Sequence, residues 1–80
     1  MLRPEDIKGY IEQGLPCEHL SVQGDGAHFE AVIVSAEFRG KLRVQQHQLV
    51  YRALGERMRE EIHALSMTTL TPEEWAARHG

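Results

Sequence analysis

The chain has 80 residues, of which 41% are hydrophobic and 26% charged, and its formal net charge at pH 7 is -3. This length suits one small core, so we expect a single domain over residues 1–80, and the hydrophobic share argues against disorder. No apolar run approaches the roughly 20 residues that span a bilayer, and the first residues do not resemble a signal peptide. The single cysteine, Cys17, excludes a disulfide within the chain and fits a reducing compartment, so we expect a cytoplasmic protein with no membrane partner.

The first part of the chain predicts a helix followed by a β-hairpin. Apolar residues at i, i+3 and i+4 spacing predict a helix that begins at Pro4 and ends at Gly14. Alternation over residues 20–23 predicts a first strand, Gly24–Gly26 a tight turn, and residues 28–34 a longer second strand.

The second part predicts a helix, a strand and a helix. Gly40 marks a break at which glycine is free to take a conformation that other residues avoid. A helical stripe runs from Leu42 to Met58; Gly55 weakens this helix by roughly 1 kcal/mol relative to Ala, and we interpret it as a point of close packing. A third strand is predicted at about Ala64–Leu70, and Thr71–Glu74 has the N-cap, first-turn proline and capping-box glutamate that begin a final helix.

The order α-β-β-α-β-α predicts an α+β domain in which helices cover a three-stranded sheet. The third strand returns through the long helix, so it runs parallel to one hairpin strand and the sheet is expected to be mixed. We expect Trp75 to pack in the core or as a lid at the domain edge, with an aromatic contact to a partner as the alternative.

Basic residues are concentrated between Arg39 and Arg59, where six of them accompany one acid, whereas the rest of the chain has three basic and eleven acidic residues. A dipolar chain of this kind can steer an acidic partner to one face, whether nucleic acid, glutathione or protein. Arg39, Lys41 and Arg43 form the candidate docking stretch. A solvated helix face explains the same pattern without a partner.

Two histidines flank the predicted strands. His63 stands where the charged helix gives way to the third strand, and His28 follows the hairpin turn. If the fold brings them together, they offer a two-histidine edge for a metal or a cluster; otherwise each is an ordinary strand-edge residue. Cys17 and His19 match no usual zinc spacing with His28, and no nucleophile–base pair suggests an enzyme.

Several short sequence strings occur along the whole chain in a specific order and spacing. They are VQGDGAHF (22–29), FRGK (38–41), RV (43–44), LVY (49–51), IHAL (62–65) and TPEEW (71–75). Together they resemble the BolA family and, within it, the IbaG-like subgroup. The resemblance implies a fold close to the class II KH domain, a non-enzymatic function and a link to stress response.

The resemblance also implies a partner and a cofactor. Members of the family form heterodimers with monothiol glutaredoxins and share a bridging [2Fe–2S] cluster, for which the glutaredoxin supplies a cysteine and its bound glutathione a second thiolate. The histidine of the I/V-H-A-L string is His63 here, and the second ligand, a Cys or His between the first two strands, falls on His28. Cys17 lies before the first strand and takes no such role. No cofactor is expected in the isolated monomer, and the implied role is cluster assembly, storage or trafficking.

The alternative function is nucleic-acid binding and transcriptional regulation, since KH-like folds bind single strands and some BolA proteins act as regulators. A KH module holds the backbone with a G-x-x-G loop, but the string at residues 40–43 lacks the second glycine. Many family members have Arg-His-Arg where this chain has Gln at positions 46 and 48, so two phosphate contacts are absent. Arg39, Lys41 and Arg43 remain, and they keep DNA as the second hypothesis.

Overall fold

A computed structural model describes residues 2–79 of the chain. Its elements are α1 (Pro4–Gly14), β1 (His19–Gly24), β2 (His28–Val34), α2 (Arg43–Leu54), α3 (Arg57–Glu60), β3 (Ala64–Leu70) and α4 (Pro72–His79), with a 3₁₀ turn at Ala36–Phe38. The predicted α+β order is confirmed, except that the predicted second helix is divided into α2 and α3. Within residues 2–79, no helix has both the length and the apolar character needed to cross a membrane.

The sheet has the order β1-β2-β3 and is mixed, as predicted. β1 pairs antiparallel with β2, so that His19 lies opposite Val34 at one end of the hairpin and Gly24 opposite Phe29 at the other. β2 pairs parallel with β3, and His28 is in register with Ala64. The first residues of β2 and β3 therefore lie at the same end of the sheet.

One face of the sheet packs against helices. Phe29, Ala31 and Ile33 alternate along β2 and are buried, whereas Glu30 between them is exposed. α1 packs against β1 and α2, and its Ile7 and Ile11 are fully buried in the same core. This alternation is typical of a two-layer domain with one solvated sheet face.

The prediction of one helix from Leu42 to Met58 is wrong at Gly55. Gly55 has φ 59° and ψ -138°, a backbone conformation that residues with a side chain rarely adopt, and it ends α2. Among the described residues, no heavy atom lies within 4 Å of the Cβ that an alanine would add there, so our interpretation of Gly55 as a close-packing site is also wrong. Close packing occurs instead at Gly14, where an added Cβ would lie 2.8 Å from the Cα of Ala53. The conformational prediction for Gly40 is confirmed by its φ of 73°.

Trp75 is a half-buried residue of α4 and covers the domain edge. This agrees with the prediction that it packs as a lid there. Its ring stacks on that of His19, with ring centroids 4.3 Å apart. The centroid of the His79 ring, on the same helix, lies 3.9 Å from that of Trp75. The Arg39 side chain also forms an ion pair with Glu73 of α4.

Candidate functional site

His28 and His63, the two predicted ligands, lie on neighbouring segments at the same end of the sheet. His28 is the first residue of β2 and pairs with Ala64, and His63 immediately precedes Ala64. Both side chains are exposed. Neighbouring strands lie about 4.8 Å apart, so a single partner surface can contact both residues. We call these two residues the histidine edge.

The turn that carries His28 is held from within the chain. The Asp25 carboxylate accepts hydrogen bonds from the backbone N–H groups of His28, at 2.9 Å, and Ala27, at 3.0 Å. These bonds favour the ionised carboxylate and lower the pKa of Asp25. Gly26 supports the turn with φ 101°. These local hydrogen bonds therefore support the position of His28 in addition to its pairing with Ala64.

The segment that carries His63 is held differently. Ile62 is buried in the core, and the hydroxyl of Tyr10 on α1 donates a 3.1 Å hydrogen bond to Glu61 Oε1. The Glu61 carboxylate, acting mainly through this bond, raises the pKa of Tyr10. The guanidinium of Arg57 lies over the Tyr10 ring, 4.1 Å from its centroid. Nothing in the local sequence pattern indicates these contacts, because Tyr10 and Glu61 are 51 residues apart.

A pocket opens beside His63. Its volume is about 210 Å³, and it is lined by Arg59, Glu60, Glu61, Ile62 and His63. The lining is mainly polar because it includes exposed side chains of α3 and the turn after it. The histidine edge is thus next to a concave surface that a partner's side chain or small ligand can enter.

The histidine edge has the donor chemistry for a metal but an incomplete ligand set. Neither imidazole ring forms a hydrogen bond with another group within residues 2–79, so no contact in this part of the chain occupies their nitrogen atoms. In the same part of the chain, no three His, Cys, Asp or Glu residues come together in a way that could hold a metal ion. An iron–sulfur cluster usually takes four protein ligands, so the two imidazoles fit a cluster only if a second molecule supplies the rest.

The structure also argues against a zinc site formed by Cys17, His19 and His28. His19 and His28 lie at opposite ends of the β1–β2 hairpin, and the His19 ring stacks on Trp75. Cys17 is half-buried and its Sγ donates to the carbonyl of Leu15 at 3.3 Å. Burial raises the pKa of the Cys17 thiol and so disfavours the thiolate that a metal requires.

The basic stretch is not a set of three free cations. The Arg39 guanidinium donates hydrogen bonds to both carboxylate oxygens of Glu73. The Arg43 Nη1 group donates to the backbone carbonyl of Thr69. Lys41 is exposed and forms no ion pair within residues 2–79. Of the three predicted docking residues, Lys41 is therefore the one whose side chain forms neither an ion pair nor a hydrogen bond within residues 2–79.

Gln46 has a structural role that the sequence analysis missed. Its side chain is buried, where Nε2 donates to the carbonyls of Phe38 and Lys41 at 3.1 and 3.2 Å. Its Oε1 accepts a 2.7 Å hydrogen bond from the Thr69 hydroxyl. The i+4 spacing of Gln46 from Val50 was the available signal, since both lie on the buried stripe of α2.

His47 follows Gln46 on the helix and is half-buried. Its Nε2 atom has no hydrogen-bond partner in the described part of the chain.

Comparison with known proteins identifies the family. A family model described as BolA-like protein matches residues 7–74. The chain belongs to the BolA family. The membership predicted from the sequence is thereby confirmed, and the relatives include an IbaG protein.

The chain is similar to relatives in several bacteria. The DNA-binding transcriptional regulator BolA of Haemophilus influenzae is 46% identical over 61 residues, which are 76% of this chain and 59% of that protein, less than two thirds of its length. The acid stress protein IbaG of Escherichia coli K12 is 38% identical over 72 residues, 89% of this chain and 86% of that protein. The structure of a BolA homologue from Coxiella burnetii has a TM-score of 0.88 and 47% identity, and covers 95% of this chain and 99% of that chain.

Proposed function

We propose that this BolA-family protein is a non-enzymatic cytoplasmic adaptor that binds a [2Fe–2S] cluster together with a monothiol glutaredoxin, in the assembly, storage or trafficking of clusters. The observation that carries the proposal is the histidine edge, in which His28 and His63 are exposed at the starts of two parallel strands. The two imidazoles are this chain's ligands. The cysteine of the glutaredoxin and the thiol of its bound glutathione complete the set.

The incomplete ligand set supports an adaptor that acts with a partner. Two imidazoles in place of two thiolates raise the reduction potential of such a cluster, as they do in Rieske centres. Histidine ligation also makes binding sensitive to pH, because an imidazolium does not bind metal. The pocket beside His63 leaves room for the partner's groups to approach the same edge.

Co-expression with a monothiol glutaredoxin tests the proposal. We expect a coloured heterodimer with a visible absorption spectrum, and we expect His63→Ala and His28→Ala to lose the cluster or shift its spectrum, since each removes a ligand. His79→Ala is the matched control, because His79 is an exposed histidine on α4 that contacts Trp75. The proposal fails if the His63→Ala complex retains the spectrum and cluster lifetime of the wild-type complex.

DNA binding is the second candidate, and the name of the H. influenzae relative favours it. Lys41 is the phosphate contact that the structure leaves available, whereas Arg39 and Arg43 have partners within the chain. The isolated protein should then shift the mobility of labelled DNA in a gel, and the shift should weaken as the salt concentration rises. Lys41→Gln should lower the slope of log affinity against log salt by about 1. A slope that is unchanged in Lys41→Gln would exclude Lys41 as a phosphate contact.

A further inference from the structure

The segment that positions His63 has few anchors of its own. α3 is a four-residue helix with no buried residue and no side-chain N-cap, and it follows the break at Gly55. At its C-terminal end, the carbonyl of Arg57 accepts hydrogen bonds from the N–H groups of Glu61, at 2.9 Å, and Ile62, at 3.0 Å. An isolated helix of this length is not stable in water. Contacts with the rest of the fold must therefore determine where the segment lies.

Tyr10 contacts this segment at both ends. Its ring lies under the guanidinium of Arg57, the first residue of α3, and its hydroxyl donates to Glu61, the residue that follows the helix. The ring also packs against the core from α1, whose neighbouring positions Ile7 and Ile11 are fully buried. Tyr10 thus joins a rigid part of the fold to the segment that ends two residues before His63.

We infer that Tyr10, through its contacts with Arg57 and Glu61, is a positioning residue that sets where His63 lies at the histidine edge. The consequence for cluster binding rests on the proposed function, whereas the consequence for the position of His63 does not. Without the Tyr10 contacts, this segment is held by the buried Ile62, the partly buried Met58 and its backbone hydrogen bonds, and none of these holds the Glu61 side chain. A looser turn before His63 presents the imidazole in several positions, which weakens binding by reducing pre-organisation.

The conservative variant Tyr10→Phe tests the inference, because it removes the hydroxyl and keeps the ring under Arg57. In the isolated protein we expect hydrogen exchange at the amides of Glu61 and Ile62 to accelerate roughly threefold to tenfold, the effect of losing one net hydrogen bond. We also expect the NMR signals of the His63 ring to shift. Tyr51→Phe is the matched control, since Tyr51 is an exposed tyrosine of α2 and undergoes the same chemical change. Glu61→Gln retains an amide oxygen as acceptor and should have a smaller effect than Tyr10→Phe.

In the complex with a monothiol glutaredoxin, we expect Tyr10→Phe to shorten the half-life of the cluster severalfold relative to Tyr51→Phe. The inference is overturned if Glu61 and Ile62 exchange at wild-type rates in Tyr10→Phe. It is also overturned if exchange accelerates while the His63 signals and the cluster half-life remain those of the control. A wild-type complex that binds no cluster defeats the proposed function instead, and exchange and the His63 signals in the isolated protein then decide whether Tyr10 positions His63.

Discussion

The two ends of the β2–β3 pair use polar residues in different ways. Where the strands start, His28 and His63 are exposed, and their rings make no hydrogen bond within residues 2–79. Where the strands end, Thr69 is fully buried and bonded to Gln46. A buried polar group needs a partner inside the protein, whereas an exposed one is available to another molecule. The start of the strands is thus the end suited to binding, and their finish is the end suited to stability.

The helices that border the two ends of the β2–β3 pair also differ. The finish of the strands is covered by α4, with the Trp75–His19 stack and the Arg39–Glu73 ion pair. The start is bordered by α3, which like α4 has no buried side chain but is only four residues long. Elements with few buried contacts open more readily than core elements, and binding sites are often built from them. Substitutions at the two ends should therefore differ in their effect on the free energy of unfolding.

The largest expected effect is that of Gln46→Ala, at the finish of the strands. The substitution leaves the Phe38 carbonyl and the Thr69 hydroxyl in a buried site without their Gln46 partner. We expect the free energy of unfolding in urea to fall by about 2–4 kcal/mol.

Two control variants define the contrast with Gln46→Ala. Gln48→Ala changes an exposed glutamine of the same helix, and His63→Ala changes an exposed residue at the start of the strands. Each should cost no more than about 0.5 kcal/mol in the same urea titration. A loss in His63→Ala as large as that in Gln46→Ala would remove the distinction between the two ends.

Gly55→Ala is expected to have the next largest effect. Gly55 has φ 59° and ψ -138°, so an alanine there is strained although its Cβ has space. We expect a loss of about 1–3 kcal/mol in the free energy of unfolding. Gly9→Ala is the control, because Gly9 lies within α1 and its added Cβ also meets no heavy atom within 4 Å. That variant should be more stable by roughly 0.5–1 kcal/mol. Equal and small effects of the two variants would show that the backbone at Gly55 adapts without cost.

The sequence predicts those parts of the fold that depend on local signals. The helix α1 and the strands β2 and β3 have the predicted bounds, because apolar spacing, glycine and proline mark them. The capping box is confirmed by reciprocal hydrogen bonds between Thr71 and Glu74, at 2.9 and 3.2 Å. Gly55 was misinterpreted because a glycine in a helical stripe has the same pattern whether it packs closely or ends a helix.

The candidate site was only partly predictable. His28 and His63 were identified from the strand edges and the resemblance to the BolA family, and the parallel register places them together. The Tyr10–Glu61 and Arg39–Glu73 contacts join residues 51 and 34 positions apart, and such pairs have no periodic signal in a single sequence. The structure therefore changes the interpretation of the basic stretch, since Arg39 is a partner of α4 rather than a free cation.

The smallest expected effect is that of Glu73→Gln, which tests whether the exposed ion pair strengthens the finish of the strands. The Arg39 guanidinium, through its hydrogen bonds to Glu73, lowers the pKa of that carboxyl below its ordinary value. A carboxyl whose pKa is lower in the folded state stabilises the fold above its unfolded pKa, and this stabilisation is lost as the pH falls through the folded pKa. The difference in free energy of unfolding between wild type and Glu73→Gln should thus be present at about pH 7 and decrease as the pH falls through the lowered pKa of Glu73. It should also shrink in high salt, because both side chains are exposed. Glu12→Gln is the control, because Glu12 is an exposed glutamate of α1 that forms no ion pair within residues 2–79. A Glu73→Gln difference that is constant over this pH range would mean that the ion pair does not stabilise the docking of α4.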